Sequence, residues 1–290
     1  MPTLDELRDR HPDIGIDFTI PQCWERYSAA EHGIWRMLFE RQAKLLPGRA
    51  AHEFLDGLDR LKLVPDRIPN FERLSEQLSA LTGWRVVAVP SLVPDDVFFD
   101  HLANRRFPAG QFIRKPEQLD YIEEPDVFHD VFGHVPMLAH PVFADYLQAY
   151  GKGGQRALCE FGALKNLARL YWYTVEFGLI DQKDGLRIYG SGIVSSSAES
   201  IYAVESPSPN RIGFDLERVM RTEYRIDDFQ ESYFVISSFE ELFAETYKDF
   251  AALYTKLASG PVYKPGDVLG SDRVLTRGTH AYRAGSHALI

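Results

Sequence analysis

The chain has 290 residues, with 32 Lys and Arg against 42 Asp and Glu, a formal net charge of −10, and 45% hydrophobic residues. That balance belongs to a chain that folds around a core, which excludes a disordered polymer, and its acidic excess lacks the basic stripe that nucleic acid requires. The sequence has no run of about 18 apolar residues, its acidic opening MPTLDELRDRHPD is unlike a signal peptide, and Cys23 and Cys159 form no CxxC pair, so a cytoplasmic enzyme with neither nucleic acid nor membrane as partner is expected.

Helical patterns dominate, and no repeat, low-complexity tract or Gly/Ser linker divides the chain. From Cys23 to Leu46 the residues Trp24, Tyr27, Ile34, Trp35, Leu38 and Leu45 recur at three- and four-residue steps, which predicts a helix. A second helix is expected from Ala51 to Leu61, and a third begins after the N-cap residue Asn70 and ends near Gly83. WRVVAVP, residues 84–90, is short and β-branched and reads as a strand. Pro94 opens a short helix over PDDVFFDHL, with acids in its first turn. PVFADYLQAY is helical up to an expected break at Gly151–Gly154, and Glu160 to Phe177 reads as one long amphipathic helix closed by Gly178. Asp184-Gly185 between apolar runs predicts a hairpin. Ser238 and Glu241 form a capping box that launches a helix to Leu257, with Leu242, Phe243, Thr246, Phe250 and Leu253 on one side. The expected fold class is mainly α with a few short β-strands. Residues 1–20 are expected to form an N-terminal extension, 21–258 a single domain, and 259–290 a C-terminal tail that is part of the same domain or loosely ordered.

The densest chemical signal is EPDVFHDVFGHVP, Glu124 to Pro136, which sets His129 and His134 five residues apart. On an α-helix a step of five overshoots a full turn by about 140°, so the two rings diverge, unlike the i, i+4 pair of a zinc protease helix. Gly133 offers a way out: with a positive φ it ends a helix begun at Pro125 and lets His134 swing back toward His129. On spacing alone the pair is equally a hydrogen-bonded core or surface pair.

A third ligand is offered by Glu176 in LARLYWYTVEFGL, which shares a helix face with Trp172 and Tyr173. It also lies in the last turn before Gly178, where the helix dipole disfavours a negative charge. A carboxylate there calls for a divalent metal, an Arg partner or water. Two imidazoles and one carboxylate make the facial triad of non-haem Fe(II) oxygenases, and they serve a catalytic zinc equally well.

The run FIRKPEQLDYIEEPDVFHDVFGHVP, followed in order by YWYTVEFGL and GSGIVSSSAES, closely resembles the pterin-dependent aromatic amino acid hydroxylases. The resemblance extends from about Trp24 to Leu257 and is closest to the short bacterial members that act on phenylalanine. It implies a catalytic domain of the aromatic amino acid hydroxylase type that converts L-phenylalanine to L-tyrosine. The cosubstrates would be O2 and the reduced pterin tetrahydrobiopterin, and the metal a mononuclear Fe(II), with tryptophan as the alternative substrate.

On that resemblance His129, His134 and Glu176 hold the iron, and Arg114 in QFIRKPE takes the substrate α-carboxylate in a bidentate pair. Read alone, Arg114 would pair at the surface with Glu117, Glu123 or Glu124. Trp172 falls beside the substrate ring, where packing alone would make it core, and Ser195 falls close to the bound amino acid, where it would otherwise be a turn hydroxyl. Glu199 follows at i+4 and supports the pocket from behind; by itself it reads as an exposed helix acid. The pterin would lie against SLVPDDVFF, with Phe98 stacked on its ring and Leu92 and Val93 in main-chain contact, although packing alone makes all three core. Asp130 stands where many animal members have Glu, and the shorter acid implies contact with the pterin through water. Only about twenty residues precede the first helix and no heptad helix follows Leu257, so the resemblance implies a monomer without the regulatory and tetramerisation segments of animal members.

Overall fold

Local caps set several helix limits in the computed structural model, which describes residues 3–120, 122 and 124–282. The chain forms two compact units, Met1–Lys44 with His52–Gln155, and Leu45–Ala51 with Arg156–Ile290.

In the first unit α1 (Leu4–Arg8) starts from a capping box between Thr3 and Glu6. Helix α2 spans Ala29–Leu45, six residues later than the apolar periodicity from Cys23 predicts. Cys23 sits at φ 51, Trp24–Arg26 is a single 3-10 turn, and Ser28 and Glu31 exchange the two bonds of a capping box that begins the α-helix proper. Helices α3 (His52–Arg60) and α4 (Phe71–Thr82) follow. The Asn70 side chain accepts from the N–H of Arg73, and Gly83 at φ 78 ends α4, as the sequence predicts.

Strand β1 (Arg85–Val89), helix α5 (Asp95–Ala103) and strand β2 (Arg106–Gly110) form a crossover whose strands pair in parallel. Pro108 hides β2 from pattern reading, since proline removes a ladder donor. After a π turn at Phe128–His134 come α6 (Val135–Leu138) and α7 (Pro141–Arg156). The expected break at Gly151–Gly154 does not occur, and α7 runs through it. A Cβ on Gly151 would lie 2.4 Å from the Ala103 nitrogen, and one on Gly154 would lie 2.0 Å from the Phe99 ring. These glycines let α7 approach α5, and that packing offsets their low helix propensity. Trp35, Phe39, Phe54, Phe128 and Phe132 form an aromatic core, with Phe128 and Phe132 stacked at 4.7 Å.

In the second unit α8 covers Leu164–Tyr171. The long helix expected over 160–177 is therefore divided: a π turn at Ala157–Phe161 stops at Gly162 (φ 59), and a further π turn at Trp172–Glu176 follows α8. Gly178 is not a left-handed cap. A Cβ there would lie 2.1 Å from the Tyr189 ring, so the position is kept open for packing.

The expected hairpin is present as β3 (Leu179–Gln182) and β4 (Gly185–Ile188), with Gln182 opposite Gly185 at φ 118. Next come α9 (Ser191–Val194), α10 (Ser197–Glu205), β5 (Asn210–Gly213), α11 (Leu216–Met220) and β6 (Ser232–Ile236). The unit ends with α12 (Phe239–Thr246), α13 (Ala251–Leu257) and β7 (Val274–Thr276). The sheet order is β4-β3-β6-β5-β7.

Ser238 caps α12 as predicted, but the helix does not reach Leu257 unbroken. Thr246 Oγ1 bonds back to the Leu242 carbonyl, and Asp249 accepts from the Ala251 N–H to restart the chain. The end of the chain packs as β7 along β5; residues 283–290 of the expected tail lie outside the described residues. The class is mainly α with short strands, as the sequence predicts. Among the described residues no helix is long and apolar enough to cross a membrane.

Candidate metal centre

The turn that carries the two histidines departs from the expected geometry. Gly133 has no positive φ, and Phe128–His134 is a π turn that continues directly into α6. Hydrogen bonding from i to i+5 brings residues five apart into neighbouring positions, so the spacing that makes rings diverge on an α-helix makes them converge here. Pro136 supplies a reason for the wider turn. It cannot donate to the Phe132 carbonyl four residues back and crowds it, which an α-helix tolerates poorly. The turn is started by Asp126 and not by Pro125, since Asp126 Oδ1 accepts from the His129 N–H at 3.0 Å.

The Nε2 atoms of His129 and His134 end 3.3 Å apart, with their rings inclined at 79°. Phe107 flanks the His134 ring at 4.8 Å. Glu176 closes a π turn of its own, Trp172–Glu176, where Thr174 Oγ1 donates to the Leu170 carbonyl and competes with the main chain for it. The ligand atoms of His129, His134 and Glu176 all lie within 4.8 Å of one another.

This geometry fits a divalent first-row ion. At metal–nitrogen distances of about 2.1 Å, two ligands at right angles sit about 3 Å apart. Two imidazoles and a carboxylate also leave positions open for other molecules. Ser191 Oγ lies 2.9 Å from Glu176 Oε2 and donates to it, fixing the direction of that carboxylate. Ser191→Ala is expected to weaken Fe(II) affinity about tenfold with little change in melting temperature. Anaerobic titration checks this, and unchanged affinity would remove Ser191 from the site.

Arg114 is buried, and its partner is Asp126. Nε and Nη2 each reach a different carboxylate oxygen at 2.8 Å, and the Arg114 main-chain N–H adds a third bond. Glu123, one of the surface partners considered for it, lies outside the described residues. Burial pushes the Asp126 carboxyl up, but the Arg114 hydrogen bonds and charge, with the N–H groups of His129 and Arg114, outweigh it and hold the group below its usual range. Asp126 therefore joins Arg114 to the histidine turn. Sequence reading missed it, although an Asp just ahead of a helical run is a recognisable cap signal.

Trp172 is half-buried, stacked on Tyr224 at 4.3 Å and on Phe177 at 4.8 Å, and its indole N–H donates to Gln230 Oε1 at 3.1 Å. Ser195 is buried and donates to the Ser191 carbonyl at 2.7 Å, the local turn bond its sequence context allows. Glu199 is not the exposed acid that helix position alone predicts. It is 5% exposed and accepts from the Tyr233 hydroxyl, and burial pushes its carboxyl up to about 7. Its raised value means that its contribution to stability is full below about pH 4.5 and is lost as pH rises through about 7. Glu199→Gln, which keeps an acceptor for Tyr233, is expected to flatten the pH dependence of the melting temperature across that window. The loss removed is at most about 3 kcal/mol. A variant profile parallel to the unmodified protein's would contradict the assignment.

Phe98 is half-buried, with its ring edge-on to Phe99, and Val93 is buried. Leu92 is 56% exposed and so is not the core residue that packing alone suggests. Asp130 Oδ2 accepts from the Gly110 N–H at 2.7 Å, tying the end of β2 to the histidine turn.

Residues 7–263 match the family profile described as biopterin-dependent aromatic amino acid hydroxylase. A phenylalanine-4-hydroxylase of Caulobacter vibrioides is 66% identical over 271 residues, covering 93% of this chain and 92% of the relative. The phenylalanine hydroxylase of Chromobacterium violaceum, solved with iron and phenylalanine bound, superposes with a TM-score of 0.87 at 57% identity, over 94% of this chain and 100% of that one. The same enzyme with iron(III) and 7,8-dihydrobiopterin gives a TM-score of 0.87 at 58% identity, over 95% and 99% of the two chains. With three convergent ligands, the ordered motifs and near-complete coverage in agreement, the chain belongs to the biopterin-dependent aromatic amino acid hydroxylases.

Proposed function

We propose that this protein is a phenylalanine 4-monooxygenase, which converts L-phenylalanine to L-tyrosine with O2 and tetrahydrobiopterin at an Fe(II) held by His129, His134 and Glu176. The observation that carries the reading is the convergence of those three ligand atoms within 4.8 Å, in a chain whose close relatives bear phenylalanine hydroxylase names. Those names do not favour the tryptophan alternative.

When bound, the iron and the reduced pterin supply the activation of O2 and the transfer of one oxygen atom to the ring. The protein's own contribution is placement. Arg114, already aligned by Asp126, presents the remaining edge of its guanidinium to the substrate carboxylate. Trp172, braced by Tyr224 and Phe177, is the wall against which the substrate ring rests, and Ser195 and Glu199 support the amino acid end. Phe98 stacks on the pterin, Leu92 and Val93 meet it through their main chain, and Asp130 approaches it through water. Holding the ring, the pterin and the metal in one arrangement is where most of the rate advantage of such a site arises.

A monomer working in the cytoplasm is part of the same proposal, supported by two unpaired cysteines and the acidic charge. The test is iron-reconstituted protein with L-phenylalanine and tetrahydrobiopterin under air, with tyrosine followed by chromatography and L-tryptophan run in parallel. Tyrosine that requires both iron and pterin is expected. No product from either amino acid, with zinc tightly held, would contradict the reading and favour a hydrolase.

A further inference from the structure

We propose that Gln230 is a positioning residue for the substrate ring, because it holds the indole of Trp172 and the carboxyl of Glu199 in a single hydrogen-bonded frame. The inference rests on the reading above that Trp172 walls the phenylalanine pocket. Gln230 is 1% exposed and precedes β6 by two residues. Its Oε1 accepts the Trp172 indole N–H at 3.1 Å, and its Nε2 donates to the Arg225 carbonyl at 2.8 Å and lies 3.5 Å from that of Asp228. Its main-chain N–H reaches Glu199 Oε1 at 3.5 Å, the oxygen that also takes the Tyr233 hydroxyl.

The orientation of this amide is not arbitrary. An indole nitrogen only donates and a main-chain carbonyl only accepts, so Oε1 must face Trp172 and Nε2 must face the 225–228 segment. That segment directly follows Tyr224, whose ring lies 4.3 Å from that of Trp172 and at 13° to it. Gln230 thus fixes Trp172 twice, once through its N–H and once by securing the loop that covers its face. Trp172 in turn opens the π turn that ends in Glu176, so the direction of the indole is set only four residues from a metal ligand. An apolar residue at 230 would leave the part-buried indole N–H and the Arg225 carbonyl without these partners, which frees the ring to seek other bonds.

The test begins with the unmodified protein, whose failure to make tyrosine would overturn the proposed function and this inference with it. With activity in hand, Gln230→Leu is expected to raise KM for L-phenylalanine about tenfold, the equivalent of about one net hydrogen bond. KM for tetrahydrobiopterin and bound iron should change less than twofold. Adding Gln230→Leu to Trp172→Phe, which has no indole N–H to hold, should change KM for phenylalanine less than twofold, a non-additivity that general loosening of the fold would not give. Gln230→Met, unbranched and similar in volume, repeats the test should the leucine variant fold poorly. An unchanged KM for phenylalanine would overturn the proposal, as would a parallel rise in both KM values with loss of iron, or full additivity in the double variant. Insolubility of both Gln230 variants would assign the residue to the fold alone and also overturn it.

Discussion

Replacing His129 or Glu176 with alanine is expected to abolish iron binding and tyrosine formation together while leaving the fold intact. Each residue supplies one of three ligands, and neither is a member of the buried core. Changes to residues that merely support ligands lower metal affinity by about 10–100-fold, so loss of a ligand itself should exceed about 100-fold. His134 is the less informative target. It is buried against Phe107, and its removal would mix ligand loss with a packing defect. Iron content after anaerobic loading, measured beside the melting temperature of the metal-free protein, separates the two effects. An alanine variant at 129 or 176 that stays iron-loaded and active would contradict the assignment.

The second large effect is expected at Asp126. Alanine there leaves the buried Arg114 guanidinium without its counter-charge and removes the cap of the histidine turn. Breaking a buried pair from one side costs about 3–5 kcal/mol. In a chain of this size that is a fall of about 10 °C in melting temperature. The carboxyl is held below its usual range, so its stabilisation is complete above about pH 4 and is lost as pH falls through its depressed value. The gap between Asp126→Ala and the unmodified protein should therefore be widest near neutrality and close in acid. Asp126→Asn keeps the shape and an acceptor, and should lose less. Equal stability of Asp126→Ala at pH 7 would show that the pair contributes nothing.

What sequence reading could and could not reach follows from how local each cause is. Asn70, Gly83, the Asp184-Gly185 turn and the Ser238 cap act on their own neighbours, and the elements they define are present. The three ligands were legible as residue types in ordered motifs, but their convergence was not. On sequence a left-handed Gly133 reconciles five-residue spacing with a metal, whereas the chain widens into a π turn ahead of Pro136. The same widening divides the helix that ends in Glu176.

Other misses share a tertiary cause. Gly151 and Gly154 read as a break because their contacts with Ala103 and Phe99 lie some fifty residues away in sequence. Strand β5 hid because Asn210 and Arg211 are polar, although both are buried. Asn210 bonds to Ser232, and Arg211 bonds to the Ala203 carbonyl. Glu199 looked like a surface acid for the same reason: the residues that bury it, Tyr233 and Gln230, come from another part of the chain.

The π turns Phe128–His134 and Trp172–Glu176 are expected to bring His129, His134 and Glu176 onto one iron beside the substrate. Iron-edge anomalous diffraction from crystals loaded anaerobically with Fe(II) and L-phenylalanine checks this. One peak is expected about 2.1 Å from both histidine Nε2 atoms and in contact with a Glu176 oxygen, with the phenylalanine ring alongside it. Iron bound elsewhere, or held by the histidines with Glu176 turned away, would contradict it.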